Sequence, residues 1–110
     1  MPIEKWSEKV WVLHLADDPQ FTDDIEALDQ MSGIPKASAV LDFASVHFIN
    51  SSNLAKLLKL RKQLSHATGR LIFCNLPTQV WSTFLITGLD KLFEFSDNVT
   101  TALMQLGVQE

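Results

Sequence analysis

Three sets of side chains in this sequence have the types and spacing to do chemistry. The first is Asn50-Ser51-Ser52-Asn53, where an apolar, strand-like segment ending at Ile49 hands over at once to a leucine-rich helical pattern. A hydroxyl at that place ordinarily accepts a backbone N–H that would otherwise be orphaned at the helix start. The same place suits a phosphate, because a helix N-terminus offers free N–H donors and a partial positive charge. No carboxylate falls between Asp42 and Asp90, so a phosphate here meets no repulsion from residues close in sequence. Two further negative charges on an exposed surface would change the partner that surface fits. Residue types alone favour a helix cap and permit a switch.

The second set is Asp17, Asp18 and Asp42, two carboxylates after an early strand and one inside a later strand. Bacterial receiver domains use such a trio to bind Mg²⁺ and accept a phosphoryl group. Here Asp42 follows Asp18 by only 24 residues, too few for the helix-strand-helix-strand path that chemistry needs. A lysine just past the last strand is also wanting, so these read as solvated loop carboxylates. The third set is Cys74 and the histidines. A phosphatase-type loop after Cys74 needs an arginine six residues on, and that position is Val80, so a buried apolar thiol is expected. His14, His47 and His66 lie far apart, and no Cys/His spacing suggests a metal site. Gly33, Gly69, Gly88 and Gly107 are isolated, so no glycine-rich phosphate loop exists. No serine has a histidine and carboxylate beside it in sequence, as a local hydrolase triad would. Most catalytic readings therefore fail on the residues, and no catalytic residue, resident metal or cofactor is expected.

The elements that must position these groups are legible from periodicity. Ile3–Trp6 and Lys9–Leu15 read as strands joined by a Ser7-Glu8 turn, with Val10, Val12 and His14 alternating against Trp11, Leu13 and Leu15. Phe21, Ile25, Leu28 and Met31 recur at helical spacing, with Thr22 or Asp23 as cap and Gly33-Ile34-Pro35 as stop. "SAVLDFA" has the length and composition of a buried strand. Leu54, Leu57, Leu58 and Leu64 mark one face of a long helix ended by Gly69, with Lys56, Lys59 and Lys62 on another. "RLIFCNL" is a second buried strand. Pro77 opens a helix with Val80, Trp81, Phe84 and Leu85 inward, and Gly88 stops it. A short strand in "KLFEF" and a helix over 97–106 close the chain. The order β-β-α-β-α-β-α-β-α predicts one α/β domain over residues 1–110: a mixed sheet, with an N-terminal strand pair and parallel strands, covered by about four helices.

Bulk composition narrows the classes further. The chain has 110 residues, 46% of them hydrophobic and 20% charged, enough for a core and too apolar for disorder. No apolar run reaches the roughly 20 residues a membrane span needs. The first residues lack the pattern of a signal peptide. One cysteine excludes an internal disulfide and fits a reducing compartment, so a cytoplasmic protein is expected. A net charge of −4 argues against nucleic-acid binding. Charge is also segregated: residues 16–30 carry Asp17, Asp18, Asp23, Asp24, Glu26 and Asp29 and no base. Lys56, Lys59, Arg61, Lys62 and Arg70 fall where carboxylates are missing. A solvated helix face is the plain reading, and a docking surface for an acidic partner the other.

Val40–Asp42, Ile49–Leu54, Leu71–Leu76, Pro77 and Gly88–Phe93 together resemble the STAS domain of bacterial anti-sigma factor antagonists, and the strand pair and "TALMQL" helix fit the same plan. The resemblance implies a partner switch. In that family the unphosphorylated antagonist binds a GHKL-type serine kinase that doubles as anti-sigma factor, and so frees a sigma factor. The kinase phosphorylates the serine that follows the turn's aspartate, and a PP2C-type phosphatase reverses the step. Carried over by position, the phosphoacceptor is Ser51, and the partner-binding residues are Asn50, Ser51, Ser52, Asn53, Lys56 and Lys59. ATP and Mg²⁺ would belong to the kinase, and the antagonist would be a monomer exchanging partners, not inserted in a membrane. Asn50 replaces the family's usual Asp and Asn53 its usual Gly. Asn still caps, and it tolerates left-handed backbone better than most residues if the turn demands it. The resemblance also admits a constitutive docking subunit of a membrane transport ATPase, of the lipid-transport type, with Ser51 only a cap.

Overall fold

The computed structural model describes residues 3–30, 37–66 and 69–107, with His66 described in its backbone alone. Its elements are β1 (Ile3–Ser7), β2 (Val10–Ala16), α1 (Gln20–Asp29), β3 (Ser38–Ser45), α2 (Ser51–His66), β4 (Leu71–Cys74), α3 (Thr78–Thr87), a 3₁₀ turn (Leu89–Lys91), β5 (Glu94–Ser96) and α4 (Val99–Gln105). The five strands lie in the order β1-β2-β3-β4-β5, with β1 antiparallel to β2 and every later pairing parallel. The expected mixed sheet and element order are both present. The first turn is one residue later than expected, because Ser7 stays in the ladder opposite Val10 across a register shift after Lys5.

Sequential strand order has a direct consequence for packing. Right-handed crossovers between successive parallel strands place their helices on one face of the sheet. The main core accordingly joins Trp11, Leu13 and Leu15 of β2, Leu41 and Phe43 of β3 and Phe73 of β4 to Phe21, Ile25 and Leu28 of α1. It continues through Leu57, Leu60 and Leu64 of α2 and Val80 and Phe84 of α3. The alternate residues Val10, Val12, Val40, Ile72 and Cys74 face the other way and meet Ala102 and Leu103 of α4. Period-two alternation thus builds two unequal cores from one sheet. Phe73 is the hub of the larger, with the rings of Phe43, Phe84, Phe93 and Phe95 centred 4.6–5.7 Å from its own.

The helices depart from expectation in detail. Leu60 of α2 is fully buried although the expected leucine stripe omits it, whereas Leu54 and Leu58 pack only at the margin. The inner stripe of α3 is narrower than expected: Leu85 is 49% exposed and only Val80 and Phe84 are buried. Gly88 does stop α3, in the left-handed conformation (φ 75°) that lets its N–H reach the Leu85 carbonyl. Gly69 answers a different need. A Cβ there would lie 1.7 Å from the Ala37 carbonyl oxygen, so the return from α2 passes the start of β3 at a distance only glycine allows. Met31 and the Gly33-Ile34-Pro35 stop lie outside the described residues. No helix among the described residues is long and apolar enough to cross a membrane.

Candidate functional site

Parallel strands end on a common edge, so the segments after β2, β3, β4 and β5 gather there, where open α/β sheets usually carry their sites. The α2 start belongs to this edge. Its first helical hydrogen bond runs from the Leu54 N–H to the Asn50 carbonyl, at 3.0 Å. Asn50 is therefore the N-cap, and Ser51, Ser52 and Asn53 are the first three helical residues. Asn50 Oδ1 accepts the Asn53 N–H at 2.8 Å, and Asn53 Oδ1 accepts the Asn50 N–H at 3.1 Å. This is the reciprocal geometry of a capping box, built here from two asparagines. The cap expected of the serines is thus made by Asn50.

Asn53 does more than close the box. It is 3% exposed, and its Nδ2 donates to Asp18 Oδ2 at 2.8 Å, tying α2 to the segment after β2. Asp18 Oδ1 in turn accepts the Thr22 backbone N–H at 2.9 Å and its hydroxyl at 2.6 Å, holding the first turn of α1. The helix cap assigned from sequence to Thr22 or Asp23 therefore comes from Asp18. The Thr22 hydroxyl, the Asn53 amide and, more weakly, the charge of Lys56 lower the Asp18 pKa against a modest effect of burial. The turn makes no left-handed demand of Asn53: among the described non-glycine residues, the positive φ belongs to Asn75, at 56°.

With the cap made elsewhere, both serines are exposed with their hydroxyls at the helix start. Ser52 Oγ lies 2.8 Å from Lys56 Nζ, which donates to it one helical turn on. The Ser51 hydroxyl makes no hydrogen bond among the described residues. Phe48, two residues before the cap, is 63% exposed. Its neighbour His47 is anchored, with its N–H donating to Asp17 Oδ1 at 2.8 Å and Nδ1 lying 2.7 Å from Asp17 Oδ2. The His47 N–H is the main reason the Asp17 carboxyl titrates below its ordinary range. Two carboxylates thus approach this turn through space, although none is near in sequence on its C-terminal side. The expectation of a phosphate site free of repulsion covers sequence neighbours only, and to it the fold adds the through-space carboxylates Asp17 and Asp18.

The basic residues are also less free than their sequence positions suggest. Lys59 Nζ is 3.6 Å from Asp29 Oδ2, bridging α2 to α1. Arg61 Nε donates to the Leu92 carbonyl. Arg70 donates through Nε to Glu94 at 3.1 Å, through Nη2 to the same carboxylate, and through Nη1 to the Gln105 carbonyl at 2.8 Å. The acidic 16–30 segment and basic α2 are adjacent elements, and their opposite charges partly neutralise one another. Lys62 is exposed.

A second polar group is invisible in the sequence. His14 lies on the α4 face of β2, with Nδ1 2.7 Å from Asp42 Oδ2 and Nε2 2.8 Å from Glu4 Oε2. Three neighbouring strands are cross-linked by one imidazole, whose two nitrogens both face carboxylates. The Glu4 and Asp42 hydrogen bonds raise its pKa, the Glu4 bond foremost, against the opposing effect of burial. Burial pushes Asp42 upward, but the Ala44 N–H, His14 and Asn75 prevail and lower it. The three aspartates of the phosphoryl-accepting pattern therefore serve separate hydrogen-bonded tasks, where solvated loop carboxylates were expected. Cys74 is fully buried, and burial, aided by the Asp42 charge, pushes its thiol up to about 12, the inert state its sequence context predicts. The Asp18 cap does have a readable signal, since Asp18-Pro19 ahead of an apolar-periodic run marks a helix start. The His14 and His47 partnerships span 28 and 30 residues and leave no local signature.

A mixed sheet with its crossover helices on one face, and a helix that opens on two exposed hydroxyls at the strand ends, defines a small α/β domain. The STAS domain profile matches residues 13–102. The chain belongs to the STAS family. Its fold is similar to that of an anti-sigma-factor antagonist STAS domain protein from Planctomyces limnophilus (15% identity, 96% of this chain and 97% of that one, TM-score 0.82). It is likewise similar to the anti-sigma factor antagonist SpoIIAA in its unphosphorylated form (16%, 98% and 97%, 0.78). The Bacillus cell fate determinant SpoIIAA in its phosphorylated form is more distant (17%, 94% and 96%, 0.68).

Proposed function

We propose that this chain is an anti-sigma factor antagonist that works as a phosphorylation-controlled partner switch, with Ser51 as phosphoacceptor. The observation that carries this reading is the free Ser51 hydroxyl, held on the first residue of α2 by a cap that does not use it. An acceptor must present its oxygen to a kinase without unmaking the fold, and Asn50 and Asn53 relieve the serines of the capping task. The partner surface comprises this turn, where Asn50, Ser51 and Ser52 are exposed, and the outer side of α2 with Lys56 and Lys59. Asn53, being buried, acts by holding the turn in place. The partners are a GHKL-type serine kinase acting as anti-sigma factor and a PP2C-type phosphatase; the antagonist itself is a non-enzymatic cytoplasmic monomer that regulates transcription without touching nucleic acid.

A phosphoryl group on Ser51 brings about two negative charges to a turn already flanked by Asp17 and Asp18. Lys56, which donates to Ser52 Oγ and whose charge reaches Asp18, is the cation for which phosphate and carboxylate would compete. Repulsion at the turn then weakens the complex. The test is reconstitution with a GHKL-type serine kinase from the same genome. Ser51→Ala should bind it and resist phosphorylation, whereas Ser51→Glu should lose the complex; equal affinity of wild type and Ser51→Glu overturns the switch. The completeness of the asparagine box without the family's aspartate favours a second reading, constitutive docking on a lipid-transport ATPase. Recovery of that membrane ATPase, with no soluble kinase, from a pulldown on the tagged chain would select it.

A further inference from the structure

A cleft of about 320 Å³ opens at the carboxyl ends of β4 and β5, apart from the serine turn. Its wall is made by Asn75, Leu76, Trp81, Phe95, Ser96 and Asp97. We infer that this cleft binds a small organic cation, an alkylammonium group seated against the Trp81–Phe95 pair and neutralised by Asp97.

Four features of the wall converge on that ligand class. The Trp81 and Phe95 ring centroids are 4.9 Å apart and the rings nearly perpendicular, giving an aromatic surface of the kind that attracts alkylated ammonium. Asp97 is exposed and forms no ion pair among the described residues. It is the single full charge in the lining, which contains no lysine, arginine or histidine. The Ser96 hydroxyl is buried and has no hydrogen-bond partner among the described residues, an uncommon state that a polar ligand group would relieve. The rim is fixed from outside the cleft. Asn75 has a left-handed backbone (φ 56°), and its Nδ2 is committed to Asp42 at 3.1 Å. An anion would meet Asp97 head-on, and a purely apolar ligand would leave both Asp97 and Ser96 unanswered. The volume lies at the lower end of the range for small-molecule sites, about 300–1,000 Å³.

The same chemistry arrives either as a free ammonium compound or as a lysine side chain of another protein, so the test uses both. The full chain, labelled with ¹⁵N, is titrated with choline, with N-acetyl-lysine methylamide and with dimethylbutanol, the neutral isostere of choline, at constant ionic strength. Saturable shifts at the Trp81 indole N–H and the backbone amides of Asn75 and Phe95–Asp97 are expected with a cation and not with the isostere. The tighter of the two cations tells a free ligand from a basic side chain. Asp97→Asn should weaken binding about tenfold and Asp97→Glu should largely retain it. Asp97 also precedes the Asn98 cap of α4, so thermal melting of each variant is measured in parallel. A destabilised Asp97→Asn with unchanged affinity gives the carboxylate a helix-end role alone and overturns the inference. Absence of saturable shifts, or equal binding of dimethylbutanol, overturns it as well. Should Asp97→Asn fail to fold, Trp81→Leu decides between the outcomes: loss of binding by a similar factor supports the site, and unchanged affinity overturns it.

Discussion

The two polar clusters of this domain are built on opposite principles. The Asn50–Asn53–Asp18 cluster joins a local asparagine box to a carboxylate 35 residues away, is partly buried, and has as its central member an uncharged amide whose oxygen and nitrogen are both engaged inside the protein. The Glu4–His14–Asp42 bridge is assembled from three strands, and its imidazole and Glu4 side chains are 44% and 53% exposed. The first holds a helix start by hydrogen-bond satisfaction, which depends little on salt. The second holds an edge strand by charge, which solvent and salt screen. A surface that must present a serine reproducibly is better served by the first kind.

The comparison breaks most visibly at Asn53. Asn53→Ala removes an acceptor for the Asn50 N–H and the donor to Asp18, leaving a carboxylate oxygen without that partner. A loss of about 2–3 kcal/mol is expected in urea unfolding, with the m-value unchanged. Asn50→Ala removes only the cap and should cost about 1 kcal/mol. Equal losses for the two variants would mean that the tie to Asp18 contributes nothing.

His14→Gln should cost less, about 1 kcal/mol or below, because exposed pairs are screened. Its signature lies in pH. The folded pKa of His14 is raised, so its stabilisation is fully present below the unfolded value of about 6.5 and is lost as pH rises through the folded pKa. Wild type and His14→Gln should therefore differ in acid and converge at alkaline pH. Asp18 has the opposite sign. Its pKa is lowered, so its contribution is present above the unfolded value of about 3.9 and is lost as pH falls through the folded pKa. Asp42 is lowered as well, so the bridge weakens at both ends of the pH range and the Asp18 cluster in acid alone; melting curves from neutral to alkaline pH separate them. The smallest effect is expected for Asn50→Asp, within about 0.5 kcal/mol, since both residues cap equally well. Any large change it makes in kinase binding would then report recognition and not stability.

Much of this molecule is legible in its sequence because much of it is periodic. Alternation in β2, the leucine spacing of α2 and the Gly88 stop each depend on residues a few positions apart, and each appears in the structure near its expected place. The serine turn is legible for the same reason, as is the inertness of Cys74. The departures share a cause as well. Leu60 and Leu85 differ from expectation because burial on a helix depends on which neighbour covers it. Asp18 is readable as a cap from the Asp18-Pro19 pair, but its tie to Asn53 spans 35 residues and has no local signal.

By itself the sequence determined the element order, the mixed sheet and the exposed hydroxyls at the start of α2, all consequences of local propensity and period. Tertiary structure alone decided what surrounds those hydroxyls. Parallel strands end on one edge, so Asp17 and Asp18 arrive at a turn lying some thirty residues further along the chain. Opposite charges segregated in sequence pair across α1 and α2. Electrostatics acts through space over a few ångströms, and only folding sets which charges come that close.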